Sequence, residues 1–441
     1  YLFLMNISLI VCFLDACMIH ASIKILFLLQ FMPSTKTFIF VSIDGMTDPL
    51  GQSQVLPYLV GLASKGNKIG IVSCEKKGNW KLNHKIIEKI TSEANISWDY
   101  SFYKTGKPFI SQQQNFKSLK RIVFKKIKDA NSQTILHCRS YLAGLIGLKA
   151  KQKFNTGFIF DMRGFWADER IEGGIWKKSS PIGAYLYKYF KKKEKEMLVN
   201  SDAIISLTNK AKSIILNWNL GINDSKITVI PCCADLDHFS KNNIEEKQFI
   251  TFQNKFSQLK NKFVLSYVGS LGTWYMADEM LEFFKVLSDK IDSHFLIVTK
   301  DSEELVHKAA IKHHVSLDKV TVISSSRAEM PYYISLSSAS LFFIRPSFSK
   351  SASSPTKMGE LLSMQVPVVT NAGVGDVDSI IHETNCGVII PDFNKKEYQQ
   401  AVSDLLENRN LYMSNTVTAA SSYFSLQDGI EKYAGVYNSF K

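Results

Sequence analysis

SKSASSPTKMGELLSMQVPVVTNAG, residues 349–373, is the stretch that decides how the chain is read. It opens on a loop of small hydroxyl residues, Ser349, Ser351, Ser353 and Ser354. Pro355 follows, then a run with helical character over 356–364, a β-branched strand over 366–370 and a Gly turn. Proline suits the first turn of a helix, where the N–H it lacks would have no partner. The free N–H groups of that turn and the helix dipole point at whatever precedes the helix, which favours an anion there. Thr356, Lys357 and Glu360 fall one helical turn apart, on or near one face. A cation suited to phosphate and a carboxylate suited to sugar hydroxyls are thus presented together.

Outward from this stretch, strand, loop and helix alternate. FIFVSIDGM (38–46) reads as a buried strand, DPLGQSQ (48–54) as a polar turn, LPYLVGLASKG (56–66) as a helix ended by Gly66, and KIGIVSC (68–74) as a second strand. TILHCRSY (134–141), GFIFDMRGFWADER (157–170) and SDAIISLTNKAKSII (201–215) continue the pattern, the last with Thr208 or Asn209 as helix cap. After a polar segment over 242–262 the alternation restarts with VLSYVGSLGTWY (264–275), HFLIVTK (294–300), KVTVIS (319–324) and SLFFIRPS (340–347). It closes with NAGVGDVDSII (371–381), whose GVGDVD reads as a helix start, and CGVIIP (386–391), before helices over 398–406 and 425–440. The pattern predicts two doubly wound α/β domains, each a parallel sheet covered by helices on both faces. A length of 441 residues agrees, at ~100–200 residues per domain.

In such folds ligands bind beyond the carboxyl ends of the strands. That rule selects the loops carrying His137, Arg139, Asp161, Arg163, Asp168, Glu169 and Arg170 in the first half. Arg163 suits a charged acceptor or a diphosphate, since a guanidinium fork matches phosphate geometry. Pairing of Asp161 with Arg163, and a purely structural His137, is the competing reading. In the second half the rule selects Gly269, Ser270 and Gly272, whose backbone N–H groups are placed to cradle a diphosphate. Cations to assist are Lys357, Lys300, Arg327 and Arg345, in that order.

Lys+Arg 53 against Asp+Glu 40 gives a net charge of +13, which suits an anionic partner or simply a solvated surface. No run of cations interleaved with stacking aromatics marks a nucleic-acid module. KSLKRIVFKKIKDA (117–130) is a basic amphipathic helix, and YKYFKKKEKE (187–196) is a second basic run. Either suits an anionic membrane surface, and either suits a core-packed helix with a solvated face. The seven Cys (12, 17, 74, 138, 232, 233 and 386) show no metal-ligand spacing, and their scatter reads as reduced thiols of a cytoplasmic protein. Residues 1–31 are largely apolar but carry Asp15, His20 and Lys24, which reads as a mis-set start with Met32 as the native one, or as a membrane anchor.

SSPTKMGELLSMQVPVVTNAG resembles the donor-binding motif of glycosyltransferase family 4, whose members have the GT-B fold. Weaker matches follow in order over residues 38–440. DPLGQSQ resembles the family's Gly-containing loop near donor phosphate and acceptor, with Gly51 allowing close backbone approach. ITVIPCCADLDHF (227–239) resembles its IPNGVDxxxF segment through Pro231, Asp235 and Phe239. The resemblance implies a first domain over 32–240 for the acceptor, a linker over 241–262, a nucleotide-sugar domain over 263–422, and a helix over 423–441 crossing back. The resemblance and the loop positions together give donor contacts from Gly51, Gly269, Ser270, Gly272, Lys300, Arg327, Ser353, Ser354, Pro355, Thr356, Lys357 and Glu360, with Lys300 and Arg327 standing in for the family's missing cations. Chemistry falls to Arg163, His137 and Asp161.

The chain departs from the family at three places. Arg163 falls where a His is usual, Ser270 and Met276 replace two phosphate-binding cations, and Ala352 replaces the first Glu of the Glu-x7-Glu motif. The implied activity is sugar transfer from a nucleotide-sugar to a saccharide or lipid-linked acceptor, with retention, without cofactor or metal. An anionic membrane surface, at the inner face of the plasma membrane, would be a partner. A GT-B 2-epimerase and a non-catalytic nucleotide-sugar-binding subunit are the alternatives.

Overall fold

A computed structural model describes residues 36–440. The segment 1–31, Cys12 and Cys17 lie outside the described residues. Two sheets carry the chain. The first has seven strands: β1 (Thr37–Ser42), β2 (Lys68–Glu75), β3 (Ser97–Phe102), β4 (Thr134–Arg139), β5 (Gly157–Asp161), β6 (Ala203–Ser206) and β7 (Ile227–Val229). They run in the order β3-β2-β1-β4-β5-β6-β7, and every pairing is parallel. The second sheet has six: β8 (Phe263–Val268), β9 (Ser293–Val298), β10 (Val320–Ile323), β11 (Ala339–Phe342), β12 (Val368–Asn371) and β13 (Gly387–Ile390). Its order is β10-β9-β8-β11-β12-β13, again all parallel.

The central strands are buried on both faces, as continuous apolar runs require. Strand order reverses between β1 and β4 in the first sheet and between β8 and β11 in the second. A doubly wound sheet opens its ligand crevice at that reversal. The loops after β1, β4 and β5, and those after β8, β11 and β12, are therefore the ones that can meet a substrate.

Two local readings change. DPLGQSQ is not a turn: Pro49–Gln54 is a short helix with Pro at its first position, followed at once by the helix Leu56–Ser64. The polar segment over 241–262 is not detached from the second core. Its helix Glu246–Asn254 buries Phe252, whose ring lies 4.5 Å from that of Tyr333, and Leu259 joins the same cluster.

The long helix Lys395–Phe424 covers the second sheet, and the chain then returns to the first lobe. At the crossing, Ala234 N–H donates to Phe424 O at 2.7 Å and Leu426 N–H donates to Ala234 O at 3.1 Å. The returning helix Leu426–Asn438 buries Ile430, Tyr433 and Tyr437 in a first-lobe core cluster. Tyr437 stacks on Phe38 with ring centroids 3.9 Å apart, and Tyr433 meets Tyr58 edge-on at 5.3 Å. Each buried ring of this kind stabilises by roughly 1.5–3 kcal/mol, so the last helix is held firmly to the first lobe.

The basic helix Pro108–Asp129 packs its apolar side inward, with Leu119 and Val123 fully buried. Lys117, Arg121, Lys125 and Lys128 stay exposed as a stripe. Among the described residues no helix is long and apolar enough to cross a membrane.

Gly51 is buried against the chain itself. A Cβ there would stand 2.2 Å from Gly45 O and 2.7 Å from Met46 Cα. Its close backbone approach is to the first loop itself. Gly51→Ala is expected to destabilise the protein by ~1–3 kcal/mol through overpacking. Gly435→Ala, on the returning helix with nothing within 4 Å, is expected to stabilise by ~0.5–1 kcal/mol. Thermal melts of the two variants beside the parent protein measure both signs.

Candidate active site

The loop after β1 is held from below. Glu75, fully buried at the end of β2, accepts Met46 N–H at 2.8 Å, Thr47 N–H at 3.1 Å and the Ser73 hydroxyl at 2.6 Å. A buried carboxylate needs such donors, because leaving it unpaired would be strongly unfavourable. These bonds tie the loop to β2, and the loop places Asp44 2.8 Å from the Arg139 guanidinium.

The ends of β4 and β5 form a buried charged cluster. His137 Nε2 lies 3.5 Å from Asp161 Oδ2, an electrostatic approach rather than a full hydrogen bond, and Arg163 Nη1 lies 3.8 Å from Asp161 Oδ1. Tyr433 donates to Asp161 Oδ2 at 3.3 Å, and Tyr437 Oη is 2.9 Å from His137 Nδ1. Burial alone would push the Asp161 carboxyl up, but Arg163, then His137 and Arg139, hold it below the usual carboxylate range. Burial likewise opposes the Arg163 charge, yet Asp161 above all holds its pKa above the ordinary value. Burial keeps Tyr433 and Tyr437 protonated, and so able to donate.

His137 and Asp161 are thus closed off, with 1% and 2% of their surface exposed. Of the three residues assigned to the chemistry, Arg163 is the one that reaches the lobe junction. Its backbone has φ +58°, a left-handed conformation that costs a non-glycine residue ~1–3 kcal/mol. Its Nη2 lies 3.4 Å from Cys232 Sγ, and the next residue, Gly164, faces Ala352 of the second lobe.

The other charged residues of the β5 loop have structural partners. Asp168 is held by Tyr187 Oη at 2.8 Å and Lys191 at 2.9 Å, Glu169 pairs with Lys350 at 3.0 Å, and Arg170 lies over the Trp166 ring.

In the second lobe the hydroxyl-rich stretch forms a 3-10 turn, Ser349–Ala352, and then the helix Thr356–Ser363 begins after Pro355. Ser349, Lys350, Ser351 and Ala352 are buried, whereas Ser353, Ser354, Pro355, Thr356 and Lys357 are partly open. Glu360 is 2% exposed, with Lys357 Nζ at 2.8 Å and Arg327 Nη1 at 3.8 Å. Arg327 is steadied by the Phe239 ring, 5.5 Å from its guanidinium carbon. The structure therefore brings Arg327, distant in sequence, to the helical-turn pair Lys357 and Glu360.

The Gly loop after β8 is only partly free for a ligand. Gly269, at φ +150°, donates its N–H to Val298 O at 3.0 Å, and Leu271 N–H is taken by the Asp301 carboxylate. Ser270 and Gly272 are exposed, as is Lys300, which has no ion pair among the described residues.

Arg345 is not available for a diphosphate. It donates to Glu172 O at 2.6 Å and lies over Trp274 at 4.7 Å. This belongs to a clasp between the lobes: the Glu172 carboxylate accepts Phe348 and Ser349 N–H at 3.1 and 3.0 Å. Thr208 Oγ1 donates to Ser351 O at 2.9 Å, and Cys232 N–H donates to Ser354 Oγ at 3.1 Å. Thr208 also caps its own helix through Ala211 N–H. Asp376 precedes the helix Val377–Thr384, as the sequence suggests, but its carboxylate accepts Asn209 and Lys210 N–H at 2.6 and 3.0 Å. It caps a helix of the opposite lobe. The hydroxyl-rich turn therefore lies at the lobe junction and is gripped from both flanks.

Sequence reasoning missed Tyr433, Tyr437, Glu172 and the cross-lobe role of Asp376. Their aromatic and acidic character reads as ordinary core and surface, and nothing local marks their long-range partners.

Residues 248–420 match the family model described as glycosyl transferases group 1. The match begins inside the segment that the sequence suggested as a linker, in agreement with the burial of Phe252. No curated protein matches the chain in sequence. Among solved structures, a glycosyltransferase from Rickettsia africae superposes with a TM-score of 0.67 at 15% identity, over 92% of this chain and 98% of that one. Alr3699/HepE of Anabaena, in complex with UDP-glucose, superposes with a TM-score of 0.66 at 10% identity, over 92% and 100%. WaaG, a glycosyltransferase involved in lipopolysaccharide biosynthesis, does so with a TM-score of 0.61 at 14% identity, over 91% and 99%. At these identities the likeness is one of fold. The chain has the two-domain GT-B architecture, and its second lobe is similar to the glycosyl transferases group 1 family.

Proposed function

We propose that this protein transfers a sugar from a nucleotide-sugar donor to a saccharide or lipid-linked acceptor, as a retaining enzyme of glycosyltransferase family 4. The observation that carries the reading is the buried Glu360 carboxylate, placed beside Lys357 and Arg327 on a helix that starts at the lobe junction. A carboxylate offers about four acceptor positions, so Glu360 can keep Lys357 and still accept two ribose hydroxyls. Lys357, Arg327 and the first-turn N–H groups of the helix then face the diphosphate. Charge that grows on the leaving diphosphate is met by donors already in place, the arrangement that lowers such barriers most.

Arg163 approaches the same junction from the first lobe and is assigned to the leaving diphosphate or to an anionic acceptor. Lys300, Ser270 and Gly272 line the outer part of the donor site, and Ser353, Ser354, Pro355 and Thr356 its inner turn. Retention follows from the family resemblance, with the leaving phosphate itself taking the acceptor proton. Neither a resident cofactor nor a metal enters the scheme; the nucleotide-sugar is substrate.

Ala352 stands where a sugar-contacting Glu is usual, and it packs in the first-lobe core. The donor sugar is therefore held by the turn's backbone and by Ser353. His137 and Asp161 are engaged by Tyr437 and Tyr433 of the returning helix, which disfavours a 2-epimerase that would use them directly on the sugar.

A role in cell-surface polysaccharide or glycolipid assembly, at the cytoplasmic face of a membrane, completes the proposal. The exposed cation stripe on the helix Pro108–Asp129 supports contact with anionic lipid by charge rather than by insertion, because its apolar side is engaged in the core.

Purified protein incubated with UDP-, GDP- and dTDP-sugars, with and without lipid-linked acceptor, tests the reading. Nucleotide release that requires acceptor supports transfer. Binding without turnover identifies a non-catalytic subunit, and acceptor-free conversion of the sugar identifies an epimerase. Lys357→Ala and Glu360→Ala are each expected to weaken nucleotide affinity at least tenfold by calorimetry, in line with ~1.5–3 kcal/mol for hydrogen bonds to charged groups. Unchanged affinity in both removes the donor-site assignment. Arg163→Ala is expected to lower turnover by ~100-fold while donor affinity stays within a few-fold, the pattern of a group that acts in the transition state.

A further inference from the structure

We propose that Tyr433 and Tyr437, on the helix that ends the chain, are positioning residues for Arg163, so that the first-lobe half of the site is incomplete without them. The proposal rests on the reading of Arg163 as the first-lobe group that meets the diphosphate or acceptor. Both tyrosines lie on the returning helix Leu426–Asn438, and they are 4% and 1% exposed. Phenylalanine would fill the same apolar space. A hydroxyl taken out of water is unfavourable unless it finds a partner, so its presence needs a polar reason.

The partners supply that reason. Tyr433 donates to Asp161 Oδ2 at 3.3 Å. Tyr437 reaches the same oxygen through a relay: its Oη is 2.9 Å from His137 Nδ1, and His137 Nε2 is 3.5 Å from Asp161 Oδ2. The proposal puts the imidazole proton on Nε2, facing Asp161 Oδ2 at 3.5 Å, a longer approach than a full hydrogen bond. Nδ1 is left as acceptor, and the Tyr437 hydroxyl donates to it. Both tyrosines therefore act on Oδ2, which turns the other oxygen, Oδ1, towards Arg163 Nη1 at 3.8 Å.

Arg163 needs such a hold. Its left-handed backbone, φ +58°, is not one that an arginine adopts by preference. Neither its Nε nor Asp161 Oδ1 has a hydrogen-bond partner. The guanidinium is kept in place by the Asp161 charge and by Cys232 Sγ at 3.4 Å, and Cys232 N–H in turn binds Ser354 of the donor turn. The path from the last helix to the donor turn thus runs Tyr437, His137, Asp161, Arg163, Cys232, Ser354, with Tyr433 joining at Asp161. Outer partners of metal ligands change activity by ~10–100-fold when removed without touching the substrate, and a residue that only orients a charged group acts by the same logic.

The test uses Tyr433→Phe and Tyr437→Phe in the full chain. Turnover is expected to fall about tenfold in each, with nucleotide affinity and donor KM unchanged. In an Arg163→Lys background the same substitutions are expected to add no further loss, since the group they position is already displaced. Wild-type turnover in both tyrosine variants, or an equal loss in the Arg163→Lys background, overturns the proposal.

A readout independent of turnover is the 15N spectrum of His137 in histidine-labelled protein. The proposal expects the proton on Nε2 and a shift of Nδ1 in Tyr437→Phe; a proton on Nδ1 alone, or an unmoved Nδ1, overturns it. If the wild-type protein turns over no nucleotide-sugar, the transferase reading fails, and the 15N result still decides the relay.

Discussion

A buried carboxylate must be given partners, and in this protein that requirement organises both halves of the cleft. Glu360 is removed from water in the second lobe, and Asp161 in the first. Each is answered by cations, one close in sequence and one brought by the fold: Lys357 and Arg327 around Glu360, Arg163 and Arg139 around Asp161. Leaving such a group unpaired would cost several kcal/mol, a large share of the ~5–15 kcal/mol that separates folded from unfolded protein. The charges are therefore fixed in position before any substrate arrives. Preorganised charge of this kind is what stabilises a departing diphosphate.

The two lobes are not independent platforms. The hydroxyl-rich turn that would receive the donor is gripped by Glu172 and Thr208 of the first lobe, and Asp376 of the second lobe caps a first-lobe helix. The chain's last helix leaves the second lobe and packs under the first, where its tyrosines reach Asp161 and His137. Contacts in both directions mean that the relative placement of the lobes is set by hydrogen bonds at the site itself.

Much of this was legible in the sequence, for a physical reason. Parallel strands covered on both faces read as unbroken apolar runs, so FIFVS, TILH and VLSYV stand out, and their alternation with helices announces two doubly wound sheets. The turn over 353–357 was legible because Pro, hydroxyl residues and Lys–Glu spacing act locally. Pro49–Gln54 was misread because Gly, Gln and Ser look like a loop, while Pro at the first helical position was the signal that should have decided it. A structural His137 and a paired Asp161 stood as the competing reading, but their tyrosine partners were out of reach, lying about 270 to 300 residues away in sequence. Arg345 looked like a free cation for the same reason: Glu172 and Trp274 are neighbours only in the fold.

Hydrogen–deuterium exchange of the full chain, with and without added UDP, GDP and dTDP, puts the central claim to its most direct trial. If the second lobe holds a nucleotide diphosphate at the hydroxyl-rich turn, one of the three slows exchange in residues 353–360 and 269–272 together. Unchanged exchange at both segments, with protection arising elsewhere in the chain, would contradict the account.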